Sequence, residues 1–489
     1  MKRGDESSNE FLWRSATWLT VGFAVAMTAV GPGCGDDEDP DDPGGEPTDR
    51  FSAVSCDDFP DPCLEIEASD VEGLLTAVNT LAADSTVVLG AGRFELNSTL
   101  ALPTVSGTTL IGQGIDVTIL DYSGQSGPPP EGIEVTADNF RIEGMTLSDS
   151  NGDALVVRDS DGVIIRAVKA TWSNLADTDN GAYGLYPVNS QNVLMEDCEA
   201  YNASDAGIYI GQSENVIVRN NIAEGNVAGL EIENTQFVDV HDNRVENNTG
   251  GLVVFDLPGN PIVGRDVRIY DNVIANNNGV NFATEGTTVA QIPPGTGTFV
   301  LASRRVEIFD NTYEGNDSAN IAILSGLALE LDDQEWRIPK AMAVGDFTGL
   351  DLIEDEENYF NFRTKEILIR DNTFVDGGTD PQGNLLSQPI GFLVAAVFGD
   401  TAVDSVIYDS IGESGFSATE AGENTNDNRI CVTGNTGATF ASLDLGVLQA
   451  RLEMADLPLV SDLYRPEAPF APFDCTSFSG GPISEVTLP

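Results

Sequence analysis

The chain has 489 residues, 79 of them aspartate or glutamate against 23 lysine or arginine, giving a formal net charge of −56 with a single histidine. That balance excludes ordinary nucleic-acid binding, which needs a basic surface, and one imidazole excludes a two-histidine active site and argues against a Cys/His zinc centre. A dense carboxylate surface suits salty surroundings, where self-repulsion is screened.

At the N-terminus, Lys2, Arg3 and Arg14 accompany an apolar stretch over 16–30, followed by Gly31-Pro32-Gly33-Cys34-Gly35. This layout predicts a signal peptide over 1–33. A cysteine behind a small residue predicts a bacterial lipoprotein in which Cys34 becomes the lipidated N-terminus. Plain secretion or an uncleaved anchor is the alternative, since Pro32 is unusual at its place and Asp5, Glu6 and Glu10 dilute the basic start. Residues 34–55 read as a disordered tether, because 36–50 hold Asp, Gly and Pro with almost no apolar content. The predicted location is the bacterial outer membrane or cell surface, or the periplasm. Membrane contact is expected through the lipid alone, because no other stretch is long and apolar enough to span a bilayer.

Cysteine usage agrees with export. Cys56 and Cys63 flank a short Pro-containing loop, and Cys431 and Cys475 bracket the last part of the chain; pairing within each set is the simplest arrangement in an oxidising compartment. Leu74, Leu75, Val78 and Leu81 then recur at helical spacing behind Ser69, with Glu72 placed to complete a capping box, so a capping helix is expected within 69–83. Thr86-Val87-Val88-Leu89 opens the first sheet.

From there the chain repeats. Asp205-Ala206-Gly207-Ile208-Tyr209-Ile210, Val227-Ala228-Gly229-Leu230-Glu231-Ile232 and Thr249-Gly250-Gly251-Leu252-Val253-Val254 align without a gap, their middle glycines stepping by 22. A second aligned run, apolar at its outer positions, comprises Val193-Leu194-Met195, Val216-Ile217-Val218, Val238-Asp239-Val240, Val267-Arg268-Ile269, Val306-Glu307-Ile308 and Ile367-Leu368-Ile369, the alternation of half-buried strands. Asn221, Asn243, Asn272, Asn311 and Asn372 form one column behind it, suited to amide stacking at a coil corner. Cys198 shares that column and is expected to be buried. A repeat of this length buries its apolar face only by stacking on its neighbours. The predicted fold is all-β, a right-handed parallel β-helix over 56–440 with traceable coils from about 109 to about 372, insertions near 276–297 and 326–362, and an irregular C-terminal cap and tail over 441–489.

The helix followed by Val87-Val88-Leu89-Gly90-Ala91-Gly92-Arg93-Phe94 and Thr109-Leu110-Ile111-Gly112-Gln113-Gly114 resembles the opening of pectin-lyase-like β-helix proteins. The run over 181–256, with Tyr183-Gly184-Leu185-Tyr186-Pro187 and Phe255-Asp256-Leu257-Pro258-Gly259, is similar to a bacterial family of exported parallel β-helix repeat proteins whose function is unassigned. The resemblance covers most of 69–475. It implies fold and export, and brings no catalytic residues with it.

Stacking converts spacing into surface columns. Val156, Tyr186, Tyr209, Glu231 and Val253 are expected outward in one column, with Arg158, Val188, Gly211, Glu233 and Phe255 beside it and Asp205 and Asp256 at the neighbouring turns. Aromatic rings cover sugar faces and carboxylates work as acids and bases, so the expected function is binding, and processing, of an extracellular or envelope polysaccharide. Glu231, Glu233 and Tyr209 are the candidate catalytic residues; Tyr186, Arg158, Phe255, Asp205 and Asp256 are the candidate substrate contacts. Glu231 and Glu233 lie roughly 6.5–7 Å apart at Cα, compatible with glycoside hydrolysis. Lyase or epimerase chemistry would use Tyr209 or Tyr186 with Arg158 or Arg219 as the neutralising cation. The contrasting reading is a non-catalytic surface scaffold or partner subunit docking another exported protein, with the tyrosines as a stabilising ladder and the acids as a solvated face. His241 is expected on the solvated surface in a column with Glu196, Arg219, Tyr270, Phe309 and Arg370. No cofactor is required; Ca²⁺ is the one ion the composition suggests, through turn oxygens such as those of Asp177, Asp179 and Asn180. The chain is expected to be a monomer.

Overall fold

The computed structural model describes residues 54–415, 424–443 and 459–489. The expected signal peptide, Cys34, all of the tether except its last two residues, and part of the C-terminal cap lie outside them.

Alternating apolar residues of each coil point inward, and the coils stack in parallel register into two long sheets. One is an 11-stranded sheet running from Leu100–Ala101 to Phe440–Ser442, called the front sheet; the other is a 20-stranded sheet bent over the two remaining faces, the back sheet. The fold is a right-handed parallel β-helix. One continuous apolar core fills it, with Leu155, Leu185, Ile208, Leu230 and Leu252 stacked from the front sheet against Val163, Val193, Val216, Val238 and Val267 from the back.

The asparagine column is a continuous ladder. Each amide nitrogen donates to the Oδ1 of the next coil, Asn221 to Asn243, Asn243 to Asn272, Asn272 to Asn311 and Asn311 to Asn372, all at 2.9 Å, and Asn372 to Asn435 at 3.0 Å. Asn435 shows that the coils continue past 372, and among the described residues the last strands are Val406–Tyr408, Ile430–Thr433 and Phe440–Ser442. A second ladder, Asn226, Asn248, Asn277 and Asn316, lines the next corner. Both hold buried amides whose donors would otherwise be orphaned.

The capping helix α1 spans Val71–Asn79 and buries Leu74, Ala77 and Val78. Its N-cap is Asp70 and not Ser69, with the Asp70 carboxylate accepting from the Gly73 amide at 2.9 Å. Ser69 sits outside the helix at φ 61°. Glu72 is therefore one residue short of a capping-box position, which the sequence pattern alone did not reveal.

Disulfides join Cys56 to Cys63 and Cys431 to Cys475. They tie the chain ahead of the first strand to that strand, and the last back-sheet strand to the tail. Cys198 is buried and unpaired, its thiol pushed up to about 12 by burial. Two disulfides mark a protein of an oxidising compartment, extracellular or periplasmic. Among the described residues no helix is long and apolar enough to cross a membrane.

Three long insertions leave the ends of the front sheet. The segments over 276–295 and 376–405 precede the front strands Thr296–Leu301 and Val406–Tyr408; the segment over 325–364 follows the strand Ala319–Leu324. The last of these forms its own three-stranded antiparallel sheet of Arg337–Pro339, Ile353–Glu354 and Asn358–Phe360. The 376–405 segment carries a second helix, α2, Pro389–Phe398. It was not anticipated, because its sequence is apolar on every side and shows no amphipathic period. Such a helix must be covered, and Ile390, Val394, Val397 and Phe398 pack into a second apolar cluster on the outer face of the front sheet.

Candidate functional site

The expected columns form in register. Val156, Tyr186, Tyr209, Glu231 and Val253 are neighbours along the solenoid, and beside them Arg158, Val188, Gly211, Glu233 and Phe255. Their face is not the open surface expected. Glu231 is 2% exposed, Tyr209 4%, and Glu233 and Asp205 9% each. The cause is the second cluster: Phe282, Val289 and Ile292 from the first insertion, Trp336 and Phe362 from the second and α2 from the third lie over the outer face of the front sheet. The carboxylates therefore sit where the apolar cover meets the tyrosines.

Tyr183, Tyr186 and Tyr209 form a triad of rings with centroids 4.5–4.8 Å apart, Tyr186 and Tyr209 edge to face at 87°. Tyr183 and Tyr186 remain half-buried and form the accessible side of the cluster. The Glu233 Oε1 accepts from Gln212 Nε2 at 2.7 Å and Asn260 Nδ2 at 3.0 Å. Gln212 Nε2 also lies 3.4 Å from the Tyr209 hydroxyl.

Removal from water disfavours every charge here. Burial raises the Glu233 carboxyl, partly offset by hydrogen bonds from Tyr209, Asn260 and Gln212. Glu231 is held well above the ordinary carboxylate range by burial, then by Asp205 and Glu233, and its Oε2 has no hydrogen-bond partner. Asp205 is pushed up to about 8 by burial and by the charges of Glu233 and Asp153. Asp153, whose Oδ1 accepts from the Tyr183 amide at 3.0 Å, rises to about 6, mainly through burial. Glu231, Glu233 and Asp205 thus each hold a proton more tightly than a solvated carboxyl does.

Other candidates are placed elsewhere. Phe255, expected to face a sugar, is buried and packs edge-on against Phe299 at 5.4 Å. Asp256 is buried too, accepting from the Gly264 amide at 2.9 Å and from Asn361 Nδ2 at 2.6 Å. The Asn361 Oδ1 in turn accepts from Arg304 Nη1 at 2.7 Å, so Asp256 fastens the second insertion to the coil and is not a surface ligand. Burial pushes its carboxyl up to about 7. Arg158 lies 3.6 Å from Glu134 and acts on Asp153 and Tyr186. Arg219 is on the back sheet, bonded to Glu196 at 2.6 Å, too far round the coil to serve this cluster. His241 is not simply solvated: it stacks on Tyr270 at 4.7 Å and its Nδ1 lies 2.7 Å from Asp242. Asn180 spends its amide on the carbonyls of Asn174 and Asn202, and Asp177 accepts from the Asp179 amide. Among the described residues no group of three or more His, Cys, Asp and Glu is arranged to hold a metal ion.

Sequence reasoning missed Tyr183, Asp153, Gln212 and Asn260. For Tyr183 a signal existed: its register partners are Ala206, Ala228 and Gly250, so one large ring stands in a column of small residues. Asn260 belongs to a short loop over 257–264 with no period to reveal it, anchored by Val263 against Ile338 and Leu350 of the second insertion. A cleft of about 620 Å³ lies between the first and third insertions, lined by Asn278, Asn281, Asp317, Asp380, Gln382 and Asn384, and shares no residue with the carboxylate cluster.

Parallel coils, stacked asparagines and a site under insertions on one sheet define a right-handed β-helix protein. The family model described as right handed beta helix region matches residues 131–291 and 178–334. No curated protein sequence matches the chain. Among solved structures it is similar to the mannuronan C-5 epimerase A-module of Azotobacter vinelandii, at 14% identity over 80% of this chain and 94% of that one with a TM-score of 0.42. It is also similar to the catalytic unit of an α-1,3-glucanase from Streptomyces thermodiastaticus, at 15% identity over 79% and 55% with a TM-score of 0.41. A polygalacturonase from Erwinia carotovora ssp. carotovora aligns at 11% identity over 68% and 95%, TM-score 0.41.

Proposed function

We propose that this protein binds a polysaccharide over the tyrosine triad and cleaves it by acid–base chemistry at Glu231 and Glu233. The observation that carries the reading is the Glu231 carboxyl, desolvated beside two other carboxyls with one oxygen lacking any partner. A buried polar atom left unsatisfied costs about 1–3 kcal/mol, and such expense is concentrated where chemistry needs a shifted proton affinity. The environments of the two glutamates differ in the way acid and base require. Glu231, without a donor on Oε2, keeps its proton and delivers it to the glycosidic oxygen. Glu233, held by Gln212, Asn260 and Tyr209, is the anionic partner, attacking the anomeric carbon or deprotonating the water that does. The rings of Tyr183 and Tyr186 form the sugar platform. Glu231→Gln should abolish turnover of a cleaved polysaccharide while retaining its binding; unchanged turnover would sink the assignment. Screening with and without Ca²⁺, and reading both reducing and unsaturated ends, separates hydrolysis from lyase chemistry and covers the calcium reading of the acidic turns.

The same proposal includes export and a lipid at Cys34, supported by the layout of 1–35; intact-mass analysis of the membrane fraction, with Cys34→Ala as control, tests it. A second reading has a specific observation behind it. Of the twelve exposed large apolar side chains among the described residues, six lie on the three insertions, Val280, Leu331, Met342, Val344, Leu385 and Leu386, the last at 95%. That distribution fits a scaffold docking another exported protein. It predicts no glycan turnover and loss of a co-purifying partner on Leu385→Ser with Leu386→Ser.

A further inference from the structure

We infer that the sugar residue taken over Asp205, Glu231 and Glu233 is uncharged, so that the substrate is a neutral polysaccharide and polyuronates are rejected; this rests on the glycan-processing reading of the same site. The groups acting on these three carboxyls are one another, Asp153, and the neutral side chains of Tyr209, Gln212 and Asn260. A uronate placed on the tyrosine platform would bring a further carboxylate into a water-poor site that already holds four acids. A carboxylate taken out of water without a counter-charge is strongly disfavoured, as the raised proton affinity of the site's own acids shows.

No arginine is among the groups acting on Asp205, Glu231 or Glu233. Arg158 lies beside Tyr186 at the Asp153 edge, 3.6 Å from Glu134, at the rim of the cluster and not within it. Arg219 projects from the back sheet onto Glu196. Arg304 lies beneath the second insertion, donating to Asn361 and to the Arg363 carbonyl. A neutral sugar meets the opposite situation. Its hydroxyls donate to carboxylate oxygens, the Gln212 and Asn260 amides steady Glu233 without adding charge, and flat rings cover its apolar face. The chain's formal net charge of −56 acts in the same sense at long range, slowing approach of any polyanion.

The test compares wild-type protein on neutral glycans (α- and β-glucans, xylan, mannan, galactan) and on polyuronates (polygalacturonate, alginate). Each is assayed in EDTA and in Ca²⁺, at high ionic strength so that long-range repulsion is screened. The expected result is cleavage of a neutral glycan, with polyuronate turnover lower by on the order of 100-fold or more. Comparable or faster polyuronate turnover, in EDTA or with Ca²⁺ supplying the missing positive charge, overturns the inference while leaving glycan processing intact. Absence of binding and turnover on every glycan overturns both.

Discussion

The Tyr209 ring lies in the space that a side chain on Gly211 would fill: a Cβ at 211 would stand 2.3 Å from Tyr209 Cε1. The two residues share one strand, two positions apart on the same face. A glycine there is what lets the phenol fold down beside Glu233, its partner one coil on.

Gly211→Ala should therefore displace the ring, and overpacking of this kind costs about 1–3 kcal/mol. The expected outcome is a lower melting temperature with a larger loss of turnover, whereas Tyr209→Phe should retain the melting temperature. Thermal unfolding and initial rates on a cleaved glycan measure both. Equal effects of Gly211→Ala and Tyr209→Phe on stability would contradict the packing account.

The carboxyl cluster predicts an unusual pH dependence of stability. Asp205 is raised to about 8 in the folded state, against about 3.9 for an unperturbed aspartate. Between those values the native state holds a proton that the unfolded chain has released, so stability falls as pH rises, by about 1.4 kcal/mol per pH unit for each such group. The contribution is fully present below about pH 4 and lost by about pH 8. Chemical denaturation across that window should show wild type losing stability relative to Asp205→Asn; parallel curves would refute the buried-proton assignment.

Asp256, Asn361 and Arg304 form one chain of bonds between the coil and the second insertion. Asp256→Ala leaves the Gly264 amide and Asn361 Nδ2 without their buried acceptor, at a cost of about 1–3 kcal/mol each. The expected signature is early protease cleavage within 326–362 and loss of the Val263 anchor that supports Asn260. Limited proteolysis with mass mapping reads the first, and weakened glycan turnover the second.

In the asparagine ladder, Asn272→Leu should be worse than its volume suggests. It removes the Oδ1 that accepts both from the Asn243 backbone N–H at 3.0 Å and from one proton of the Asn243 side-chain amide at 2.9 Å. Two buried unsatisfied groups cost about 1–3 kcal/mol apiece. Asn272→Asp keeps the acceptor but loses the donor, so a smaller penalty is expected, read by the denaturation midpoint.

Period-two alternation and the 22-residue step were enough to put Tyr186, Tyr209 and Glu231 in one column and to move Cys198 and the asparagines into the structure's interior. They suffice because parallel strands stack in register, so position within a repeat is position in space. Exposure was another matter. Phe255 and Asp256 read as surface residues and are buried; the helix Pro389–Phe398 was invisible because it has no amphipathic face. What covers the front sheet comes from aperiodic insertions whose paths depend on contacts with residues distant in sequence. By itself, then, the sequence determined the solenoid, the register of its columns and the identity of the acids within them. The tertiary structure decided that those acids lie nearly dry against one another. Desolvation, which shifts a carboxyl's proton affinity, depends on everything packed around it and is written in no local pattern.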